Sequence, residues 1–320
     1  MANDLSTYLQ TKQNAAVLRY SPLWLGRAYL GLKGALFFAG NPGARRAIHR
    51  CLRLCYGPGR ARRLWPAIRA GMVDHYHEKL LLAARPFSWF RQVHLERTEL
   101  AGVEVLESAL AAGRGVILVT AHYAAVELIP SALALRGYPV SVMVHCKTEG
   151  LRRRLQALAD RIGINLLDPK AGSVVFGALE QLQQGRILMT QCDEMDMWRP
   201  YPNRSVQFMG LAMQLDKALD VLARKSGAQP IFALNHRLGG YRYRLTLERP
   251  GEHPAAAGLR NLTAQCLAIL DQHIRENPGA WYEWKKLDSR LIRPAVRELD
   301  ENPRSSRLLG AVAPETACSA

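Results

Sequence analysis

The sequence predicts an α/β fold: a mostly parallel central sheet flanked by helices, with a helical, membrane-associating N-terminal region. Three observations predict it. From residue 102 onward, helix-like and strand-like segments alternate, the order expected of a layered α/β domain. The strand-like segments are short apolar runs rich in Val and Ile, which read as buried strands. Residues 1–100 instead show helical patterning without strand alternation.

The regions are therefore 1–100, helical and basic; 101–295, the α/β domain; and 296–320, a flexible tail rich in Ala, Ser and Arg. In the first region, residues 23–39 contain Trp24, Tyr29, Phe37 and Phe38 but are interrupted by Arg27 and Lys33. The segment is too short and too charged for a span. It suits a helix lying in a membrane interface, in preference to an amphipathic helix packed on the protein itself. Residues 41–73 then carry eight arginines (45, 46, 50, 53, 60, 62, 63 and 69) and no acid. Beside an aromatic segment, such a run suits anionic head groups. The Asp74-His-Tyr-His-Glu78 run is not a metal site, because His75 and His77 are two apart on a helix and face different ways.

In the second region, helix is expected over 103–112, a turn at 113–115 and a strand over 116–120. Helix 128–135 and strand 139–145 follow, then a basic helix over 150–162 with Arg152, Arg153 and Arg154. Strand 164–167, helix 172–184 and strand 185–191 come next. An irregular loop over 193–204 holds Pro200 and Pro202, followed by a short strand at 205–209 and a helix over 211–226. Strands at 229–237 and 241–248 and a helix over 258–276 complete the domain. No internal repeat is visible.

The chain has 320 residues and is 48% hydrophobic, enough for a sizeable core. A net charge of +16 and an isoelectric point near 9.9 point to anionic partners. No recognisable nucleic-acid-binding motif accompanies that charge, so a nucleic-acid partner is not expected. The six cysteines are scattered and form neither a disulfide framework nor zinc spacing, which indicates a reducing compartment. No signal peptide is read at the N-terminus.

The segment Gly115-Val-Ile-Leu-Val-Thr-Ala-His-Tyr-Ala-Ala-Val-Glu127 is the most informative. His122 follows the carboxyl end of a buried strand, where ligands bind in open α/β sheets. Glu127 lies five residues on. On a regular helix such residues diverge by about 140°. They can meet only if His122 precedes the helix or sits in its first turn. The spacing alone fits a base and its orienting carboxylate, or a core histidine and a solvent-facing glutamate. Other strand ends offer His145, Cys146 and Lys147; Gln191, Cys192 and Asp193; and His236 and Arg237. His145 and His236 read as structural or exposed histidines. Lys147, Arg152 and Arg204 are candidate anion ligands. The chain has no G-x-S-x-G elbow, no phosphate-binding G-x-x-x-x-G-K loop, no dinucleotide G-x-G-x-x-G after a strand and no H-E-x-x-H. No cofactor or metal is called for.

At these residues the chain resembles the bacterial lipid A biosynthesis acyltransferases, the late lauroyl and myristoyl transferases, relatives of the lysophospholipid acyltransferases. Residues 113–127 look like the family's H-x4-[DE] block, and 161–165 with 179–193 like the approach to its second block. Val206-Gln-Phe-Met-Gly210 is similar to its V-x-F-F-G, and 222–230 with 274–286 to its closing pattern. The family usually has Gly and Asn where Ala124 and Ala125 stand, Tyr-Arg near His145–Lys147, and Asp-Gln-Asp where this chain has Asp193-Glu194-Met195-Asp196.

The resemblance implies transfer of a fatty acyl group from a thioester, on acyl carrier protein or coenzyme A, to a hydroxyl of a membrane lipid of lipid A type. His122 would be the general base and Glu127 its orienter, with backbone amides near His122 as oxyanion donors and Asp193 among the substrate-binding residues. The expected location is the cytoplasmic face of the cell inner membrane, against an anionic surface. A relative that binds lipid or a partner without catalysis is the other reading.

Overall fold

A computed structural model describes residues 4–144, 149–168, 174–195 and 199–287. Five helices open the chain: α1 (Leu5–Leu9), α2 (Lys12–Tyr20), α3 (Leu23–Gly40), α4 (Pro42–Ala84) and α5 (Phe87–Leu95). The Thr11 side chain accepts the Asn14 amide and so caps α2. Helix α4 breaks at Gly57, where φ is +77° and ψ 164°, immediately before Pro58. The α/β region follows as β1 (Thr98–Ala101), α6 (Val103–Ala111), β2 (Val116–Thr120), α7 (Ile129–Ala134), β3 (Val140–Met143), α8 (Glu149–Ile162), β4 (Asn165–Leu167), α9 (Val174–Gln183) and β5 (Ile187–Gln191). It continues with β6 (Pro200–Phe208), β7 (Leu211–Asp216), α10 (Ala218–Ser226), β8 (Gln229–Gly239), β9 (Arg242–Glu248) and α11 (Leu262–Glu276).

Seven of the described strands form one sheet in the order β1-β9-β8-β2-β5-β3-β4. All neighbours are parallel except β8 and β9. β2 is central and wholly buried. Its side chains alternate between two cores, as a period of two requires. Ile117 and Val119 pack with Ile68 and Leu81 of α4 and Leu267 and Leu270 of α11. Val116 and Leu118 pack with Leu106 of α6, Ile129 and Leu133 of α7, and Ile162 of α8. Full burial of one such side chain contributes roughly 1.5–3 kcal/mol, so a register slip of one residue is strongly disfavoured.

Two expectations change. The segment 211–226 is not one helix: residues 211–216 form β7 and the helix begins at Ala218. β7 pairs with β6, so the loop expected over 193–204 already contains strand from Pro200. Met209 and Gly210, both at positive φ (54° and 77°), make the two-residue turn between Phe208 and Leu211. That turn explains the glycine of Val206-Gln-Phe-Met-Gly210. The other change is β1, a short strand inside the region expected to be helical throughout.

Helix α3 has two unlike faces. Gly26, Leu30, Gly34, Phe37 and Phe38 are buried against the protein. Trp24, Leu25, Leu32 and Leu36 are exposed, Trp24 at 71%. The two cations that interrupt its apolar run are both paired, Arg27 while still exposed and Lys33 half-buried. Arg27 makes a bidentate pair with Asp74 (2.6 and 3.0 Å). Lys33 donates to Asn14 Oδ1 at 3.1 Å and lies over the rings of Tyr8 and Tyr29. Among the described residues, no helix is long and apolar enough to cross a membrane. Helix α4 also touches the C-terminal segment: a Cβ at Gly71 would collide with the carbonyl of Gly279.

Candidate active site

β2 and β5 run parallel in register, with Thr120 opposite Gln191. Two residues past each strand end stand His122 and Asp193. The sheet therefore brings together residues 71 apart in sequence. The Asp193 carboxylate is fully buried. It accepts the His122 backbone amide (3.1 and 2.9 Å), His122 Nδ1 (3.0 Å) and Trp281 Nε1 (2.7 Å). A carboxylate is an acceptor only, so Nδ1 carries a proton and Nε2 faces away from Asp193.

The loop that carries His122 is pinned on the other side by β8. Asn235 Nδ2 donates to the Ala125 carbonyl (2.9 Å), and Arg237 donates to that of Ala124 (2.8 Å). Arg237 is itself held by Glu78 of α4 through two bonds of 2.8 and 2.7 Å, with the Tyr243 hydroxyl on the same carboxylate. Ala124 sits at φ 45°, which turns the chain sharply before the short 3-10 turn Val126–Leu128. The amides of residues 122–125 are all engaged, on Asp193, Ala121, Ala280 and Asn235. They are not free to receive an oxyanion, contrary to the sequence expectation.

Around Nε2 lie Glu194 (3.4 Å) and Glu283 (4.0 Å). Lys286 bridges them, 3.2 Å from each. Tyr282 forms the adjoining wall: its ring stacks on His75 at 3.9 Å and meets His122 edge-on at 5.4 Å. Burial is the largest influence on the His122 imidazolium and would lower its pKa. The charges of Asp193, Glu283 and Glu194 and the bond to Asp193 outweigh it and carry the value up to about 9. For Asp193, burial would raise the pKa, and His122 and Trp281 bring it below its usual value. Burial pushes Glu283 up.

Glu127 is placed differently from the sequence expectation. Among the described residues its ion-pair partners are Lys79 (2.7 Å) and His75 (4.0 Å); the His122 ring donates its hydrogen bond to Asp193. The chain reversal at Ala124 and the 3-10 turn carry Glu127 towards α4. Burial would raise its pKa, but Lys79 and His75 bring it down to about 2. His122 also contributes to that lowering, so the two groups share one electrostatic environment.

The remaining candidates do not gather here. Lys147, with His145 and Cys146, lies outside the described residues. Arg152 is exposed on α8. Arg204 is exposed on β6, its guanidinium over the Tyr201 ring at 5.0 Å. His236 contacts Tyr123 and His273. Sequence reasoning gave no role to Trp281, Tyr282, Glu283 or Lys286, nor to His75 and Lys79. For the first four the signal was the dense aromatic and charged run Trp281-Tyr-Glu-Trp-Lys-Lys286.

One described group has metal-ligand chemistry: Glu248, His253 and His273 have ligand atoms within 4.8 Å of one another. His253 Nδ1 accepts the Ala255 amide at 3.1 Å, which places its proton on Nε2, 3.8 Å from Glu248. That nitrogen's lone pair is then not available to a metal.

A buried carboxylate, an imidazole whose outer nitrogen faces Glu194 and Glu283 and an adjoining aromatic wall can take a proton from a bound acceptor. The sequence model for bacterial lipid A biosynthesis acyltransferases matches residues 16–287, nearly the whole described chain and all the elements of this site. A comparison with curated proteins found no match.

Proposed function

Since the chain belongs to the bacterial lipid A biosynthesis acyltransferase family, whose members transfer acyl groups to lipid acceptors, we propose that His122 is the general base and Asp193 the carboxylate that orients it. The observation that carries this reading is the buried bond from Nδ1 to Asp193, which leaves Nε2 to face the acceptor. The donor is a fatty acyl thioester, on acyl carrier protein or coenzyme A, and the acceptor a hydroxyl of a membrane lipid of lipid A type.

The acceptor O–H gives its proton to Nε2 as its oxygen attacks the thioester carbonyl. The C–O bond forms, the tetrahedral intermediate collapses with loss of the C–S bond, and the imidazolium returns the proton to the leaving thiolate. Asp193 stabilises the imidazolium through both charge and hydrogen bond. With the 122–125 amides engaged, Lys286, held 3.2 Å from both Glu194 and Glu283 beside Nε2, serves the oxyanion. Acyl transfer to extracted lipids, followed by mass spectrometry with the purified protein, tests the activity. Comparing lipids from cells with and without the protein identifies the acceptor.

A pH profile checks the role of the two outer carboxylates. The base must be neutral, and its pKa lies near 9 in the free protein, so kcat/KM is expected to rise with pH up to about that value. Glu194 or Glu283 stabilises the imidazolium, so removing either charge lowers that pKa. Glu194→Gln and Glu283→Gln should each move the acid limb to lower pH. Glu194→Gln also restores the amide that the family usually carries there. A limb that stays in place in both variants would separate these carboxylates from the titration of His122.

The exposed row Trp24, Leu25, Leu32 and Leu36 supports peripheral attachment to the cytoplasmic face of the inner membrane. Arg27 stays exposed but its charge is matched by Asp74, and Lys33 is half-buried over Tyr8 and Tyr29, so neither cation stands unpaired beside the apolar row. Carbonate or high-salt washing of membranes is expected to release most of the protein. Complete retention through both treatments would require an integral anchor instead.

A further inference from the structure

Residues on both sides of the α4 break at Gly57 line a hollow of about 870 Å³. Arg45, Arg46, Arg50, Arg53 and Arg62 line it, together with His49, and no acidic residue does. Among the described residues, no carboxylate forms an ion pair with Arg45, Arg46, Arg53 or Arg62. These four guanidinium groups therefore have donors to give. Arginine forks match the oxygens of a phosphate group in pairs, and concave placement lets several meet one ligand.

The charge in the hollow acts on the histidine in its lining. His49 is held against Trp65, with ring centroids 4.7 Å apart. Burial, then Arg45 and Arg53, lower its pKa. A second observation concerns what lies next to the hollow. Helix α3, with exposed Leu32 and Leu36, ends at Gly40, and the lining begins at Gly43. An apolar face and a cationic cavity thus adjoin along the chain.

We propose that this hollow is a binding site for a phosphate-bearing group, distinct from the His122 site and occupied independently of acyl transfer. Lipid head groups with a terminal phosphate and soluble phosphates share that chemistry. The position beside the apolar face of α3 favours a phosphate presented by a lipid.

The test uses the full-length protein and measures binding alone, so its outcome does not depend on the acyl-transfer reading. Vesicles of phosphatidylcholine, with or without about one-tenth phosphatidic acid, are compared with inorganic pyrophosphate in solution. The variant Arg45→Gln/Arg46→Gln/Arg53→Gln/Arg62→Gln changes only exposed side chains. The control Arg152→Gln/Arg153→Gln on α8 removes exposed arginines elsewhere, and vesicle affinity is compared per charge removed. The hollow variant is expected to lose at least tenfold in affinity for phosphatidic acid vesicles, and the control far less per charge. In the wild-type protein, pyrophosphate or the vesicles should raise the His49 pKa, read from its ring resonances, because a bound anion offsets Arg45 and Arg53. Pyrophosphate binding that equals the vesicle effect would assign the site to soluble phosphates; a vesicle effect that far exceeds it would assign the site to lipid. Equal losses per charge in variant and control, or a His49 pKa unmoved by either ligand, would overturn the proposal and reduce the arginines to general surface charge.

Discussion

Replacing His122 by Ala is expected to lower acyl transfer by about 10²- to 10⁴-fold, the usual contribution of a positioned base. The fold should survive, because the ring is not a core residue: its side chain keeps 14% of its accessibility, and Asp193 still accepts the backbone amide and Trp281. Circular dichroism and vesicle binding should match wild type. The measurement is single-turnover transfer with purified protein at several pH values. A well-folded His122→Ala protein with near wild-type turnover would refute the base assignment.

Asp193→Asn is expected to be as severe, for two separable reasons. A carboxylate can accept from the His122 amide, Nδ1 and Trp281 together, whereas an amide offers a single oxygen to these three donors. Leaving a buried donor unmet costs about 1–3 kcal/mol, so the melting temperature should fall. The tautomer of His122 is also no longer fixed, and loss of an orienting carboxylate of this kind costs up to about 10⁴ in turnover. The residual activity should show its acid limb at lower pH, since Asp193 raises the His122 pKa. Glu127→Gln is expected to act by a different route. It leaves Lys79 without its 2.7 Å partner beside His75 and Tyr282. Adding Lys79→Met to Glu127→Gln should then recover part of the loss. If the double variant recovers nothing while Asp193→Asn is mild, Glu127 is the orienter.

His122 was legible because its signal is local: a five-residue apolar strand, then a histidine at its carboxyl end. Its partner was not. Asp193 meets His122 only because β2 and β5 are parallel neighbours, and Trp281 arrives from 88 residues further along. The family resemblance pointed to Glu127, but the positive φ at Ala124 reverses the chain between them. The parallel sheet was readable from alternation alone. β7 was not, because Leu211-Ala-Met-Gln-Leu215 consists of good helix formers. Its period of two shows in the structure, where Met213 and Leu215 are buried on either side of exposed Gln214. Arg27 and Lys33 were visible as interruptions of an apolar run, yet their partners Asp74 and Asn14 are supplied only by the fold.

One stretch of α4 serves two surfaces in successive residues. Val73 packs towards Gly34 of α3 and Asp74 holds Arg27 on the same helix. His75 then stacks on Tyr282, Glu78 clamps Arg237 and Lys79 meets Glu127. A rigid helix cannot move its residue 74 without moving its residues 75 and 79. Under the peripheral attachment proposed above, any tilt of α3 at a bilayer would therefore be transmitted, as through a lever, to the wall of the cleft that holds His122. Catalysis on this scaffold would be an interfacial property: the enzyme at a lipid surface and the enzyme in free solution would present different clefts to the same substrate.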